Sequence, residues 1–415
     1  MYFIVLWGLL LNTFHTKSDI MTQILSKLSK RFLSKKSLSF KRFLFNEIDF
    51  KAPIIGIKGG RGSGKTTLLH QYAKSTKYKP SKILYISCDH PAMIGEPLYK
   101  IADEFSAYGG KLLILDEIHK IKHFASHLKA MYDFTELQVI FSGSSAMKIE
   151  HELGDLSRRA LVYDMPVLSF REFLAIKNIA HLPSYTFEKM ISNHEDIVVD
   201  ILSQIKPLEW FGDYLESGAY PFFKESISGY GNRLLEVVNM TIDSDLASLF
   251  HIQTDKLDTL KKVLYMLCCT SPYEINKSKL SGETGVAWAT LSKYMTYMDK
   301  GSLVHLIRGS KGHKTLQTPN KILLDNPNLF SILCAKPDKG AIRESFFVSQ
   351  LRQKHQLHYH HQGDFLIDEK VIIEVGGQSK DMKQIKDLEN AYLAIDNIES
   401  GYKNVIPLWL FGFLY

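Results

Sequence analysis

The chain has 415 residues, 45% hydrophobic and 23% charged, with a net charge of +7. That is ordinary for a soluble globular protein of two or three domains with a sizeable core, and the mild basic excess allows an acidic partner without demanding one. Its four cysteines, Cys88, Cys268, Cys269 and Cys334, form no C-x-x-C pair, which argues against a disulfide framework or a zinc site and suits a reducing cytoplasm.

Residues 2–11 are apolar but far short of the ~20 residues a bilayer span needs. No basic residue precedes them and no small-residue cleavage site follows, so they make a poor signal peptide. Residues 1–20 therefore read as a non-native extension, with Met21 as the expected start and no membrane partner. Residues 21–45 carry Lys27, Lys30, Arg31, Lys35, Lys36, Lys41 and Arg42, no acid, and interleaved Leu and Phe. The spacing predicts an amphipathic helix. It is either a nucleic-acid or membrane-surface arm or a helix packed on the following domain with a solvated basic face; the second reading is preferred.

Residues 54–57 are an apolar run, read as a buried strand, followed by Gly59-Gly60-Arg61-Gly62-Ser63-Gly64-Lys65-Thr66-Thr67. This fits G-x-x-x-x-G-K-[ST]. Glycines let successive backbone N–H groups face phosphate oxygens, Lys65 adds a point charge, and the Thr66 hydroxyl can ligate Mg²⁺. A helix over 66–74 would point its N-terminus at the same phosphates. Gly59 to Thr67 are thus the expected ATP-binding residues.

A phosphate cradle needs a second half. Residues 112–115 form another apolar strand, ending in Asp116 and Glu117. Asp116 would hold Mg²⁺ opposite Thr66, and Glu117 would act as general base toward the attacking water. Strands are expected over 82–87, 112–116 and 137–141, and helices over 97–108 and 121–133. Such alternation predicts an α/β fold, a P-loop NTPase parallel sheet with helices on both faces and its site at the carboxyl ends of the strands. Ser142, at one such end, either senses the γ-phosphate or caps the next helix. Downstream, Arg158 and Arg159 are candidates to stabilise charge on a transferring phosphate.

In this order, the P-loop, Leu115-Asp116-Glu117, Ser142-Gly143-Ser144-Ser145, residues 156–159 and Ser169-Phe170-Arg171-Glu172-Phe173 resemble the predicted prokaryotic ATPases of the AAA+ superfamily that carry a C-terminal domain of unknown function. The resemblance runs from about Met21 to the C-terminus. It implies ATP and Mg²⁺ as cofactors and Ser142 at the sensor position. The family's L-x-G-R pattern falls on residues 156–159, with Arg158 where glycine is usual. It makes Arg159 the finger, reaching a neighbouring subunit, and so implies a homo-oligomer.

Three parts follow the extension: residues 21–205 as the ATPase domain, 206–335 as a helical and winged-helix domain, and 336–415 as a small nuclease-like α/β domain. In the second, helices over 276–281 and 287–298 flank a turn at 282–285, with wing strands at 303–307 and 321–324. Trp288, Leu291, Met295 and Met298 are the expected core face; Thr290, Lys293 and Tyr297 would face outward, toward double-stranded DNA or a protein partner. In the third, helix 341–353 carries Glu344, strands 363–368 and 370–375 carry Asp364 and Glu374, and 381–395 reads as helix. These acids resemble the PD-(D/E)xK nuclease site, but Gly376 stands at the lysine position and Lys380 would have to reach back from a turn. A degenerate, non-cleaving site is the preferred reading. The expected function is ATP binding and Mg²⁺-dependent ATP hydrolysis, with action on DNA through the winged helix left open; the alternative is a nucleotide-dependent switch or scaffold that regulates a protein partner with little turnover.

Overall fold

The apolar run before the glycine-rich loop is strand β1 (Ile54–Lys58) in the computed structural model, which describes residues 23–36, 39–144, 156, 158–269, 277–310 and 319–415. Residues 1–20, Ser145, Ser157 and Asn276, on which expectations fell, lie outside these. Two compact units form: one comprises the described residues up to Gly59 with Gly64–Met165, the other Gly60–Ser63 with Pro166–Tyr415. Residues 166–205, read with the ATPase domain from sequence, group with the second unit.

The first unit is built on a five-stranded sheet in the order β2-β3-β4-β1-β5, with β2 (Ile83–Ser87), β3 (Leu112–Asp116), β4 (Gln138–Gly143) and β5 (Ala160–Asp164), every pairing parallel. Strands covered on both faces lose the polar alternation of a one-sided sheet. Accordingly Ile54, Ile55 and Ile57 of β1 and Leu112 to Leu115 of β3 are almost wholly buried, each contributing about 1.5–3 kcal/mol of transfer free energy. Helices α2 (Lys65–Ser75), α3 (Leu98–Ala107) and α4 (Phe124–Phe134) connect the strands. These elements match the sequence reading to within about three residues. Strand β5 was not anticipated. It lies at the sheet edge with a half-exposed face, Leu161 being 45% exposed, so its apolar signal is weak.

The basic N-terminal segment is helical over 23–34 (α1) and does not run on to 45. Its buried stripe is Leu25, Ser29, Phe32 and Leu33, and the stripe packs on edge strand β2. Phe32 stacks on Tyr85 at 3.7 Å between ring centroids. The Ser29 hydroxyl donates to the Ile83 carbonyl at 3.3 Å and accepts the Tyr85 N–H at 3.0 Å. A helix that satisfies edge-strand polar groups shields that edge from other chains, which agrees with the packed-helix reading.

In the second unit, Ser169 opens helix α5 (Phe170–Ile176) with a capping box: its hydroxyl accepts the Glu172 N–H, and the Glu172 carboxylate accepts the Ser169 N–H, both at 3.2 Å. The helix buries Phe170 and Phe173 among Phe211, Tyr214 and Phe413. Ser169 and Arg171 both donate to the Tyr415 main-chain oxygen at 2.8 Å. The Ser-Phe-Arg-Glu-Phe segment therefore ties the end of the chain into the aromatic core of this unit.

Helices α6 (Lys277–Thr284) and α7 (Trp288–Lys300) lead into an antiparallel pair, β6 (Val304–Ile307) and β7 (Lys321–Leu324). The first helix continues through Gly282, so the turn is tighter than the expected 282–285. Leu291, Met295 and Met298 are buried as expected, joined by Tyr294, while Trp288 is only half-buried. Tyr297 does not face outward alone; it stacks on Phe250 at 3.5 Å.

The terminal sheet has the order β12-β11-β10-β9-β8, with β8 (Leu357–Tyr359), β9 (Phe365–Ile367), β10 (Val371–Gly376), β11 (Ala391–Ile395) and β12 (Val405–Pro407). Strands β10, β11 and β12 are parallel and the other two pairings antiparallel. Helix α8 (Lys339–Leu351) precedes the sheet. The helix expected over 381–395 is instead a short 3₁₀ turn, Met382–Gln384, followed by β11. Ala391, Leu393, Ala394 and Ile395 are buried in an interior strand, and that continuous apolar run outweighs the helix-forming residues before it. Cys334 is disulfide-bonded, which the cysteine spacing did not signal, and Cys88 is free and buried. Among the described residues, no helix is long and apolar enough to cross a membrane.

Candidate nucleotide site

The first unit brings Lys65, Thr66, Asp116, Glu117 and Ser142 to the carboxyl ends of β1, β3 and β4. Gly64 caps α2 from the left-handed region, at φ 100°, a conformation a side chain would strain. Gly59 passes so close to the neighbouring backbone that an added Cβ would lie 2.3 Å from the Met165 carbonyl oxygen. Helix α2 then starts at Lys65, directly after Gly64, with the positive end of its dipole at that terminus. The Lys65 ammonium donates to the Gly59 carbonyl at 2.9 Å.

Asp116 is the hub. Its carboxylate accepts the Thr66 hydroxyl at 2.8 Å and the Tyr85 hydroxyl at 3.1 Å, and it also accepts the Ser142 hydroxyl. Burial raises its pKa above the usual carboxylate range; the Ser142 and Thr66 hydroxyls oppose that shift, and neighbouring Glu117 adds to it. The Thr66 hydroxyl beside the Asp116 carboxylate is a hard-oxygen donor pair of the kind Mg²⁺ takes, so the residues fit that ion.

Glu117 follows in the left-handed region, φ 56° and ψ 43°. A non-glycine residue held there costs about 1–3 kcal/mol and persists only where surroundings enforce it. Ser142 supplies part of that enforcement: its buried hydroxyl accepts the Glu117 N–H at 3.2 Å. The Glu117 carboxylate accepts the Ser144 hydroxyl at 3.3 Å and lies 3.5 Å from His119 Nε2. Ser142 is thus engaged by both acids, and the helix it was alternatively expected to cap lies outside the described residues.

Sequence reasoning assigned no role to Tyr85, Ser144 or His119. Tyr85 is a polar tip in an otherwise apolar strand, and His119 lies two residues past the base. Both were visible as residues, but only the sheet register brings Tyr85 to Asp116.

Two expected site residues lie elsewhere. In the second unit, the Arg61 guanidinium makes a two-pronged contact to Asp245, at 2.9 and 3.1 Å, so its side chain is committed there. Arg159 directly precedes β5, whose Ala160 pairs with Ile54 at the amino end of β1. That edge is roughly 15 Å of strand from the phosphate loop. Arg159 lies 3.3 Å from Asp133 and covers the Tyr132 ring. It does not join the site of its own chain.

In the terminal sheet, Glu344, Asp364 and Glu374 converge with two lysines. Lys321 of β7 donates to Glu344 at 2.6 Å and to Asp364 at 2.7 Å. Lys380 pairs with Glu374, its stem lying over Gly376. The second Asp364 oxygen accepts the Val375 N–H at 2.8 Å.

Residues 51–174 match the family model described as AAA domain. The chain is 28% identical over 373 residues to uncharacterized protein MJ1637 of Methanocaldococcus jannaschii, covering 81% of this chain and 78% of that protein. It is 24% identical over 412 residues to uncharacterized protein MJ1544 of the same organism, covering 86% and 88%. Among solved structures, C. elegans PCH-2 aligns at TM-score 0.25 and 16% identity, over 39% of this chain and 45% of that one. The S. cerevisiae Hsp104–ADP complex aligns at 0.32 and 14%, over 66% and 40%. The chain thus spans under half the length of either, and similarity at this level carries no argument. The domain match over residues 51–174, together with the parallel sheet and the Lys65–Thr66–Asp116 geometry, supports nucleotide-binding ATPase activity.

Proposed function

We propose that this chain binds ATP and hydrolyses its β–γ phosphoanhydride with Mg²⁺. The single observation that carries the reading is the hydrogen-bonded run Thr66–Asp116–Ser142–Glu117 beside Lys65 at a helix N-terminus. Thr66 and Asp116 would hold Mg²⁺, which would supply charge neutralisation at the phosphate oxygens. The loop amides from Gly59 to Thr67 and the Lys65 ammonium hold the phosphates. Glu117 takes the proton of the attacking water, oriented through its backbone by Ser142 and through its carboxylate by Ser144 and His119. Arg159 serves a neighbouring copy in a homo-oligomer, because its place at the far edge of the sheet keeps it from its own site.

Of the two uses of the energy, action on DNA or control of a protein partner, the second is favoured. On α7, Tyr297 is taken up by Phe250, leaving Lys293 and the terminal Lys300 as the exposed cations of the helix. Two cations supply little of the phosphate attraction that duplex binding needs.

The test is phosphate release from ATP with Mg²⁺ by the wild type and by Lys65→Ala. Turnover by the wild type and loss of nucleotide binding in the variant are expected. Tight ATP binding by Lys65→Ala would refute the phosphate assignment. Stimulation by duplex DNA that fades with salt would reverse the order of the two uses.

A further inference from the structure

In sequence, Glu344, Asp364 and Glu374 resemble the acids with which a PD-(D/E)xK nuclease holds a divalent metal. A hard cation needs several carboxylate oxygens free to turn toward it. Here both oxygens of Asp364 and one oxygen of each glutamate are engaged. Lys321 Nζ lies between Glu344 and Asp364, with the lysine and glutamate side chains each 8% exposed. The remaining Asp364 oxygen holds the Val375 N–H, and Glu374 holds Lys380. Among the described residues, no three His, Cys, Asp or Glu side chains come together as a metal-binding group.

Lys321 does not come from the terminal sheet. It opens β7, which pairs with β6, and its ammonium lies over the Phe365 ring, 5.1 Å from the ring centroid. Its pairing therefore joins β7 to α8, which carries Glu344, and to the start of β9, beside Asp364. Burial alone would lower the lysine pKa, but Glu344 and Asp364 outweigh it and keep the ammonium above its ordinary range. The acids that would draw a metal ion already have a charged partner fixed at both ends by the fold.

We propose that this acidic pocket is a metal-free ion-pair lock, in which the Lys321 ammonium takes the place of a divalent cation and fastens β7 to the terminal sheet. The residues present do not fit a catalytic metal, and phosphodiester cleavage is not routed through them.

The experiment counts Mn²⁺ bound per full-length chain, without nucleotide, by electron paramagnetic resonance of free Mn²⁺. Wild type and Asp364→Asn are expected to bind the same number, because the pocket takes none. Lys321→Met is expected to bind one more than wild type, and Lys321→Met/Asp364→Asn to lose that gain. Loss of one Mn²⁺ from wild type on Asp364→Asn would overturn the proposal. So would a folded Lys321→Met that gains none. Should Lys321→Met fail to fold, the comparison of wild type with Asp364→Asn still decides, since both retain the lysine.

Discussion

Replacing Ser142 by Ala is the sharpest probe of how the nucleotide site is held. Ser142 is fully buried, donates to Asp116 and accepts the Glu117 N–H at 3.2 Å. Alanine keeps nearly the same volume, so no large cavity opens. What is lost is one hydrogen bond to a carboxylate and the partner of a buried N–H, together worth about 2–3 kcal/mol after partial relaxation. The first urea transition of the nucleotide-free protein should fall in midpoint with its slope unchanged. Glu117 would also lose part of the support for its left-handed backbone, which costs about 1–3 kcal/mol to hold. If between half and all of that reaches the barrier, kcat falls roughly 2- to 150-fold, while the KM for ATP changes little because Lys65 and the loop are untouched. Stability and turnover should therefore fall together. A variant with reduced kcat but wild-type stability without nucleotide would refute the anchoring role and return Ser142 to γ-phosphate sensing.

Two other outcomes follow from named residues. Burial raises the Asp325 carboxyl from an ordinary 3.8 to about 7, against opposing contributions from Asn326 and Arg352. The folded state thus binds more protons than the unfolded one between pH 4 and 7, and stability falls as pH rises through that window. Asp325→Asn should be more stable than wild type at pH 8 by up to about 4 kcal/mol, with the gain shrinking as pH falls toward 4. Thermal melts across that range check it, and a gain independent of pH would contradict it. Burial and Arg352 lower the pKa of nearby His305, which gives the opposite slope below about pH 6.5. For Arg159→Ala, turnover should drop by about 10³- to 10⁵-fold if the guanidinium acts across subunits. Mixing it with Lys65→Ala should restore activity, since one partner supplies the arginine and the other the phosphate loop. Unchanged turnover in Arg159→Ala alone would remove it as a finger.

The site was more legible than the rest of the chain because its chemistry is local. Gly59 to Thr66 encode a backbone turn, a charge and a hydroxyl within eight residues, and Asp116 and Glu117 mark the end of an apolar strand. Tyr85 and His119 escaped because their roles depend on strand order and on a left-handed turn at Glu117, which sequence spacing does not report. Strand β5 escaped because an edge strand is only half apolar. The segment 381–395 failed for the opposite reason: Ala391 to Ile395 is apolar enough for either helix or strand, and burial beside β10 and β12 decided it. The lock in the terminal domain was half visible. Gly376 signalled a missing lysine, but Lys321 lies more than 50 residues upstream of Glu374, on another sheet, and only the fold brings it to the acids.

The measurement that tests the central claim most directly is ATP binding and turnover by Glu117→Gln with Mg²⁺. The variant keeps Lys65, Thr66 and Asp116, so it should bind ATP as the wild type does. Its amide cannot accept the proton of the attacking water, so turnover should fall by about 10²–10⁴-fold. Bound ATP that persists unhydrolysed would support Glu117 as the base; wild-type turnover in this variant would contradict it.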